Sequence, residues 1–326
     1  MKKASSLSNN AHFIWIGSHL EWVHGFAMLS AARHGGLDCV ILHHPDELTD
    51  SPVVRALQEG GILFSRLNVE ALLTDVGKQL GLGTRLMELY ARISSPAILS
   101  DILRAAILFR EGGIYLDVDT LTLAPLRPLL QDPQFIGLEN IVWPYWVKTA
   151  RSPRPWARAV GLDLLRKTLR LTPNGWLFFR LFEKLYFKAV NGAIMGGAPQ
   201  APLFATYLQN MVELPSALQS RANMLGPDLL QVLVQQQGVP NLKIYQPEAF
   251  YPLPPEISEH WFRPCKNASS LLKKAIRPQT LVVHWYASVR SKPYTGQINL
   301  DFIFKNQNSQ LYSALVHKLL PDLKLF

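Results

Sequence analysis

The sequence predicts an α/β fold with a mostly parallel central sheet, and three observations predict it. Apolar runs of strand length alternate with helix-like runs through the first third, as in parallel strands joined by helical crossovers. The alternation resumes near Gly192, after a basic, aromatic stretch that reads as helical. The 326 residues are 48% hydrophobic, enough for a full core and too apolar for a disordered chain.

Taken in order, 12–17 (HFIWIG) is a short apolar strand and 22–33 a helix. A second strand spans 38–44 (DCVILHH). Ser51-Pro52 then starts a helix over 51–59, because serine caps the free amides of a first turn and proline needs no amide there. The run 61–67 (GILFSRL) is a third strand. Over 96–110 apolar residues recur at Ile98, Ile102, Leu103, Ala106 and Phe109, the face of a buried helix, and Gly112-Gly113 stop it before the strand Ile114-Tyr115-Leu116. After 135–140 (FIGLEN) the pattern breaks until 192–195, a strand followed by helices over 201–212 and 228–237, the latter introduced by Gly226-Pro227. The run 280–288 (TLVVHWYAS) is a strand with a polar exit, and 311–319 a terminal helix.

The strand at 114–116 runs into Asp117 and Asp119. Residues i and i+2 of a strand share a face, so both carboxylates are expected to project together from its carboxyl end. Paired acids repel and resist desolvation unless a cation or a proton neutralises them. Mg²⁺ or Mn²⁺ suits such a pair, since hard divalent ions take carboxylate oxygens and keep positions open for phosphate. Asp101 and Arg104, three apart on one helix face, can pair with each other or offer acceptors and donors to hydroxyls. A bare Asp-x-Asp is common on protein surfaces, so the spacing around this one decides its meaning.

Ser100-Asp101, Arg104, Gly112-Gly113, Tyr115, Asp117 and Asp119 stand in the order and spacing of the glycosyltransferases with a DXD sugar-binding region. The chain resembles that group, which includes yeast and animal mannosyl- and galactosyltransferases, bacterial capsule and lipooligosaccharide enzymes and, more distantly, the catalytic domain of the large clostridial toxins. FIWIG is similar to the family's first strand and 191–195 (NGAIM) to a later one, while Gly226-Pro227 and His284-Trp285 fall in the expected order.

The resemblance implies a GT-A-like, Rossmann-type nucleotide-sugar-binding fold, with 1–326 forming a single catalytic domain. It also implies a Mn²⁺ or Mg²⁺ ion and sugar transfer from a nucleotide-sugar, here a UDP-sugar, with retention. A hexosyl- or N-acetylhexosaminyl-transferase acting on a glycan or lipid-linked acceptor is expected. By the same resemblance, Trp15 stacks on the base, Asp101 and Arg104 bind donor hydroxyls, and Tyr115 lines the sugar pocket. Asp117 contacts the ribose or a metal-bound water, Asp119 ligates the metal, and Asn191 lies near donor sugar and acceptor. Asp117, Asp119 and Asn191 form the catalytic set, with Glu139 and Asp228 the other polar residues to examine. His284 and Ser288 are candidate further metal ligands, although the family commonly continues to a Ser-Trp pair where this chain has Ser288-Val289. Two other readings share the site: an effector-like glycosyltransferase that modifies a host protein, and a non-enzymatic nucleotide-sugar-binding module.

The net charge of +9 is concentrated, because from Lys148 to Lys188 ten basic residues face only Asp163 and Glu183. In this insertion, at about 143–190, Trp176, Phe179, Phe182, Leu185, Tyr186 and Ala189 recur at helical spacing beside Arg180, Lys184 and Lys188. A helix resting on an anionic membrane surface has this pattern, and so does an amphipathic helix with its aromatics in the core. Nucleic acid is disfavoured by the acidic pair and the lack of a recognised module. Two cysteines, Cys39 and Cys265, exclude a disulfide or zinc framework. MKKASSLSNN precedes His12 without an apolar segment, and no run reaches the roughly 18 apolar residues of a membrane span. A cytoplasmic protein, peripheral on the inner face of a membrane, is expected.

Overall fold

The structure is a computed structural model and describes residues 8–288 and 291–322. Among these, seven strands form a mixed central sheet. Strand β1 (Asn10–Ile14) leads through α1 (Trp22–His34) to β2 (Cys39–His44), and α2 (Pro52–Glu59) leads to β3 (Leu63–Arg66). These strands pair in parallel, as the alternation of strands and helices predicts. Two helices outside that expectation, α3 (Val69–Gln79) and α4 (Arg85–Ala91), precede α5 (Pro96–Glu111). Strand β4 (Gly113–Leu116) then pairs in parallel with β1, His12 opposite Tyr115.

The glycine pair explains the sharp return from α5 to β4. Gly112 and Gly113 have φ of 68° and 93°, in the left-handed region that favours glycine. A Cβ on Gly113 would also lie 2.8 Å from the Asn10 carbonyl oxygen, so glycine lets β4 close on β1.

Beyond β5 (Thr120–Thr122), β6 (Gln134–Ile141) enters the same sheet. A helical excursion of α6 (Pro153–Leu171) and α7 (Trp176–Phe182) returns the chain to β7 (Phe187–Gly197). Strand β7 runs antiparallel to both its neighbours, β4 and β6. Helix α8 (Pro202–Glu213) follows, then β8 (Leu242–Tyr245), which lies parallel to β6 and completes the order β3-β2-β1-β4-β7-β6-β8. The chain ends through α9 (Ala268–Ala275), β9 (Val282–His284), α10 (Leu300–Asn306) and α11 (Leu311–Leu319). Strands β5 and β9 form a separate antiparallel pair.

Apolar side chains fill both faces of the sheet. Phe13, Ile114 and Leu116 join a core with Phe26, Trp285 and Tyr312, while Ile14 and Tyr115 point the other way, toward Leu103, Phe204 and Tyr207. This is the two-residue period of a strand buried on both sides.

Two helical expectations change. The helix read through Ala189 stops at Phe182, followed by one tight turn over Glu183–Leu185, and Phe187 already belongs to β7. Pairing of β7 with β6 takes precedence over the helical period there. The helix expected over 228–237 is regular only over Leu229–Val232, with wider turns on either side. No described helix is long and apolar enough to cross a membrane.

Candidate active site

Arg104, on α5, organises one wall of a cleft beyond the carboxyl end of β4. Its guanidinium stands 3.2 Å from carboxylate oxygens of both Asp101 and Asp117. It donates to the Gly192 carbonyl at 2.7 Å and lies 4.6 Å over the Tyr115 ring. The Tyr115 hydroxyl donates to Asp117 Oδ1 at 2.6 Å. Burial works against the Arg104 charge, yet Asp117 leads the neighbours that outweigh it and raise its pKa. Burial raises Asp101 to about 6 despite Arg104, and raises Asp117 as well. Gly226 closes over this wall: a Cβ there would meet Asp101 Oδ2 at 2.7 Å.

Asp117 and Asp119 do not sit on one strand face, because β4 ends at Leu116. They occupy the tight turn into β5, closed by the Thr120 hydroxyl donating to the Asp117 carbonyl. The turn sends them to different partners. Asp119 Oδ1 lies 3.0 Å from His284 Nε2, and its Oδ2 accepts the Ala287 amide at 2.7 Å. Burial alone would raise Asp119, but His284 and that amide hold it at about 2. Burial would lower His284, and the Asp119 carboxylate raises it instead. The register of β5 on β9, Thr120 opposite His284, creates the contact.

The opposite wall comes from β6, β7 and the chain beyond β9. Register between β6 and β7 slips after Ile136, leaving 192–194 of β7 unpaired with β6. This bulge aims Asn191 and the Gly192 carbonyl into the site. Asn191 Oδ1 accepts from the Ala193 amide at 2.8 Å, and the Tyr251 hydroxyl stands 3.3 Å away. Glu139 accepts from the Tyr286 hydroxyl at 2.8 Å and is also hydrogen-bonded to Asn191. Burial lifts Glu139 to about 7, against those hydrogen bonds. Tyr286 holds a φ of 61°, uncommon for so bulky a residue, and the Ser291 hydroxyl bonds its carbonyl.

The cleft measures about 300 Å³, and Asp101, Arg104, Asp117, Asp119, Asn191, His284 and Ser288 all line it, together with Glu139, Asp228 and Tyr286. Tyr115 lies beneath the wall, fully buried, and acts on the cleft through Arg104 and Asp117. Trp15 sits to one side, 4.9 Å from the His24 ring, which in turn faces Trp285 at 5.9 Å. Val289 lies outside the described residues. Tyr286 and Tyr251 carry no sequence signal, since each reads as one more aromatic in an apolar run.

Oxygens of Asp117 and Asp119 and a ring nitrogen of His284 all lie within 4.8 Å of one another. Two carboxylates and one imidazole suit a divalent ion, the oxygens favouring Mn²⁺ or Mg²⁺. One guanidinium faces Asp101 and Asp117 while Asp119 adds a further negative charge, so the donor set and its charge both fit a cation.

Residues 18–136 match the family model described as glycosyltransferase sugar-binding region containing DXD motif. The match takes in Asp101, Arg104, Tyr115, Asp117 and Asp119 and leaves Trp15, Asn191, His284 and Ser288 outside it. No curated protein matches the chain by sequence. Among solved structures, the chain is similar to the bifunctional glycosyltransferase WbbM in its apo form, with 13% identity, 98% of this chain and 53% of that one covered, and a TM-score of 0.48. It is similar to the glycosyltransferase GlyE of Streptococcus pneumoniae TIGR4 at 13% identity, 98% and 64% coverage and a TM-score of 0.43. The PaToxG glycosyltransferase is similar at 14% identity, 71% coverage of each chain and a TM-score of 0.43. Residues 18–136 thus match the sugar-binding region of glycosyltransferases that contain a DXD motif.

Proposed function

We infer that the protein transfers a sugar from a UDP-sugar to a glycan or lipid-linked acceptor, with Asp119 and His284 holding a divalent ion and with retention at the anomeric carbon. The observation that carries this reading is the convergence of Asp117, Asp119 and His284 beside the Asp101–Arg104 pair in one cleft. Mn²⁺ held there would neutralise charge on the departing diphosphate. To act as a ligand, His284 gives up the proton it shares with Asp119. Arg104 positions Asp117 and Asp101, leaving Asp101 to accept from donor hydroxyls. Asn191, fixed by the Ala193 amide, stands between the donor sugar and the acceptor side.

In a same-face reaction the leaving diphosphate accepts the acceptor's proton, and no protein base is required. Glu139 favours a second reading. Lining the cleft and lifted to about 7, it has the properties of a general base for an inverting reaction. The anomeric configuration of the product separates the two, as does Glu139→Gln, which removes the base and spares a same-face path.

A screen of nucleotide sugars for Mn²⁺-dependent hydrolysis tests the main reading. Hydrolysis of a UDP-sugar is expected, and Asp119→Ala abolishes it without changing the circular dichroism. Full activity in that variant would overturn the site.

A further inference from the structure

The helical excursion between β6 and β7 turns its apolar residues outward. On α6, Trp156, Val160 and Leu164 follow one another at four-residue steps, and Leu171 lies two turns further along the same side. Leu164 is 61% exposed and Leu171 78%. On α7 and the turn after it, Phe178, Leu181, Phe182 and Leu185 form a second row at helical spacing, with Leu181 75% exposed. The aromatics that suggested an interfacial face, Trp176, Phe179 and Tyr186, are buried instead. Arg158 ties α6 to the turn after α7 by donating to the Leu185 carbonyl. Among the described residues the only other large hydrophobic side chain so exposed is Leu63 on β3. An apolar surface this concentrated marks a place where something docks.

Charge identifies the occupant. Several of the segment's cations are tied to the body: Arg166 to Glu256, Arg170 to Glu259, Arg180 to the carbonyls of Lys274 and Ala275, and Lys188 to Gln246. Arg151, Arg154 and Lys184 are exposed and make no ion pair among the described residues, and Lys167 pairs only with Asp163, four residues back. A two-fold dimer through this face would set those like charges against their own copies. A phosphate-bearing bilayer accepts both parts of the surface, side chains at the acyl boundary and cations among anionic headgroups.

We propose that α6 and α7, with the turn to Leu185, form a docking surface for an anionic lipid bilayer. The surface adjoins the cleft, since Trp156 contacts Trp143 with ring centroids 5.0 Å apart and Trp143 lines the cleft. Resting on the transfer reaction inferred above, an acceptor carried on a lipid reaches the cleft from this side.

The test is flotation of the full chain with vesicles of phosphatidylcholine, with and without phosphatidylglycerol. Binding is expected only to the anionic vesicles and weakens as salt rises. Leu171→Ser, Phe178→Ser and Leu181→Ser together lower the bound fraction at least about tenfold, and Arg151→Glu, Arg154→Glu and Lys184→Glu together do the same. Both sets retain parental circular dichroism and UDP-sugar hydrolysis in solution. Asp119→Ala loses that hydrolysis and floats like the parent, which keeps this test separate from that of the reaction. Absence of binding to anionic vesicles, undiminished binding by the serine variant, or a dimer in solution that the serine variant dissolves would each overturn the proposal.

Discussion

Among the described residues, two clusters bring three ligand-type side chains within 4.8 Å of one another: Asp117, Asp119 and His284 in the cleft, and His12, His43 and Glu111 beneath the sheet. In the cleft, carboxylates outnumber the cations that face them and raise the pKa of His284 against its burial. Under the sheet the balance reverses. His12 and His43 are almost fully buried and share a hydrogen bond at 3.0 Å, with their rings stacked 5.2 Å apart. Burial lowers both, His43 to about 3. The nearby carboxylate of Glu111 lies 3.9 Å from His12 and is already engaged by Arg110. A cation entering there would meet two buried imidazoles and one acid already paired with Arg110. Proximity of ligand atoms is shared by the two clusters; the excess of carboxylates belongs to the one in the cleft.

The largest expected break in this comparison is Asp119→Ala, which lowers Mn²⁺-dependent UDP-sugar hydrolysis by at least ~10²–10³-fold, the scale of losing charge stabilisation at a reacting centre. Calorimetric titration of that variant with Mn²⁺ leaves no strong site, because the buried histidine pair does not substitute; a surviving strong site would show that it does. Next comes His284→Gln, with Mn²⁺ affinity about 10–100-fold weaker. The matching change under the sheet, His43→Ala, leaves Mn²⁺ dependence intact and instead costs about 1–3 kcal/mol of stability by stranding a buried His12 nitrogen. Denaturant titration reads that cost.

The smallest effect is in pH, and there the clusters have opposite signs. His12 and His43 stay neutral in the fold and titrate near the ordinary histidine value of 6.5 when unfolded, so the unfolded chain binds more protons as pH falls. Their contribution is complete above about that value and is lost on descending toward the folded pKa, about 3 for His43. His284, raised, contributes fully below its unfolded value and loses that contribution as pH rises through its folded one. Replacing His12 and His43 together by leucine is expected to flatten the fall in melting temperature between neutral and acid pH. A curve parallel to the parent's would remove these two residues from the acid response.

The wall around Arg104 was legible because its parts are close in sequence. Asp101 and Arg104 lie on one face of α5, Gly112-Gly113 end it, and Tyr115, Asp117 and Asp119 follow within seven residues, so helix and strand periods alone nearly place them. One local detail was misread. The i, i+2 rule puts Asp117 and Asp119 on a shared face, but β4 ends before them and a turn gives each its own partners. The insertion shows a deeper limit. Helical spacing identifies its faces without saying which one the body covers, and contacts from Glu256, Glu259 and the Lys274 and Ala275 carbonyls settled that, burying Trp176 and Phe179 while exposing Phe178 and Leu181.

By itself the sequence determined the α/β alternation, the parallel pairing of β1, β2 and β3, and the spaced residues by which 18–136 match the DXD-containing sugar-binding region of glycosyltransferases. All of these depend on periods of two or 3.6 residues and on glycine's freedom at a turn, properties that act over a few neighbouring residues. Only the tertiary structure brought His284 across 165 residues to Asp119, turned β7 antiparallel with a bulge that offers Asn191, and set Tyr286 against Glu139. Those contacts arise from strand register and burial between distant segments, where each side chain's surroundings are supplied by the rest of the chain.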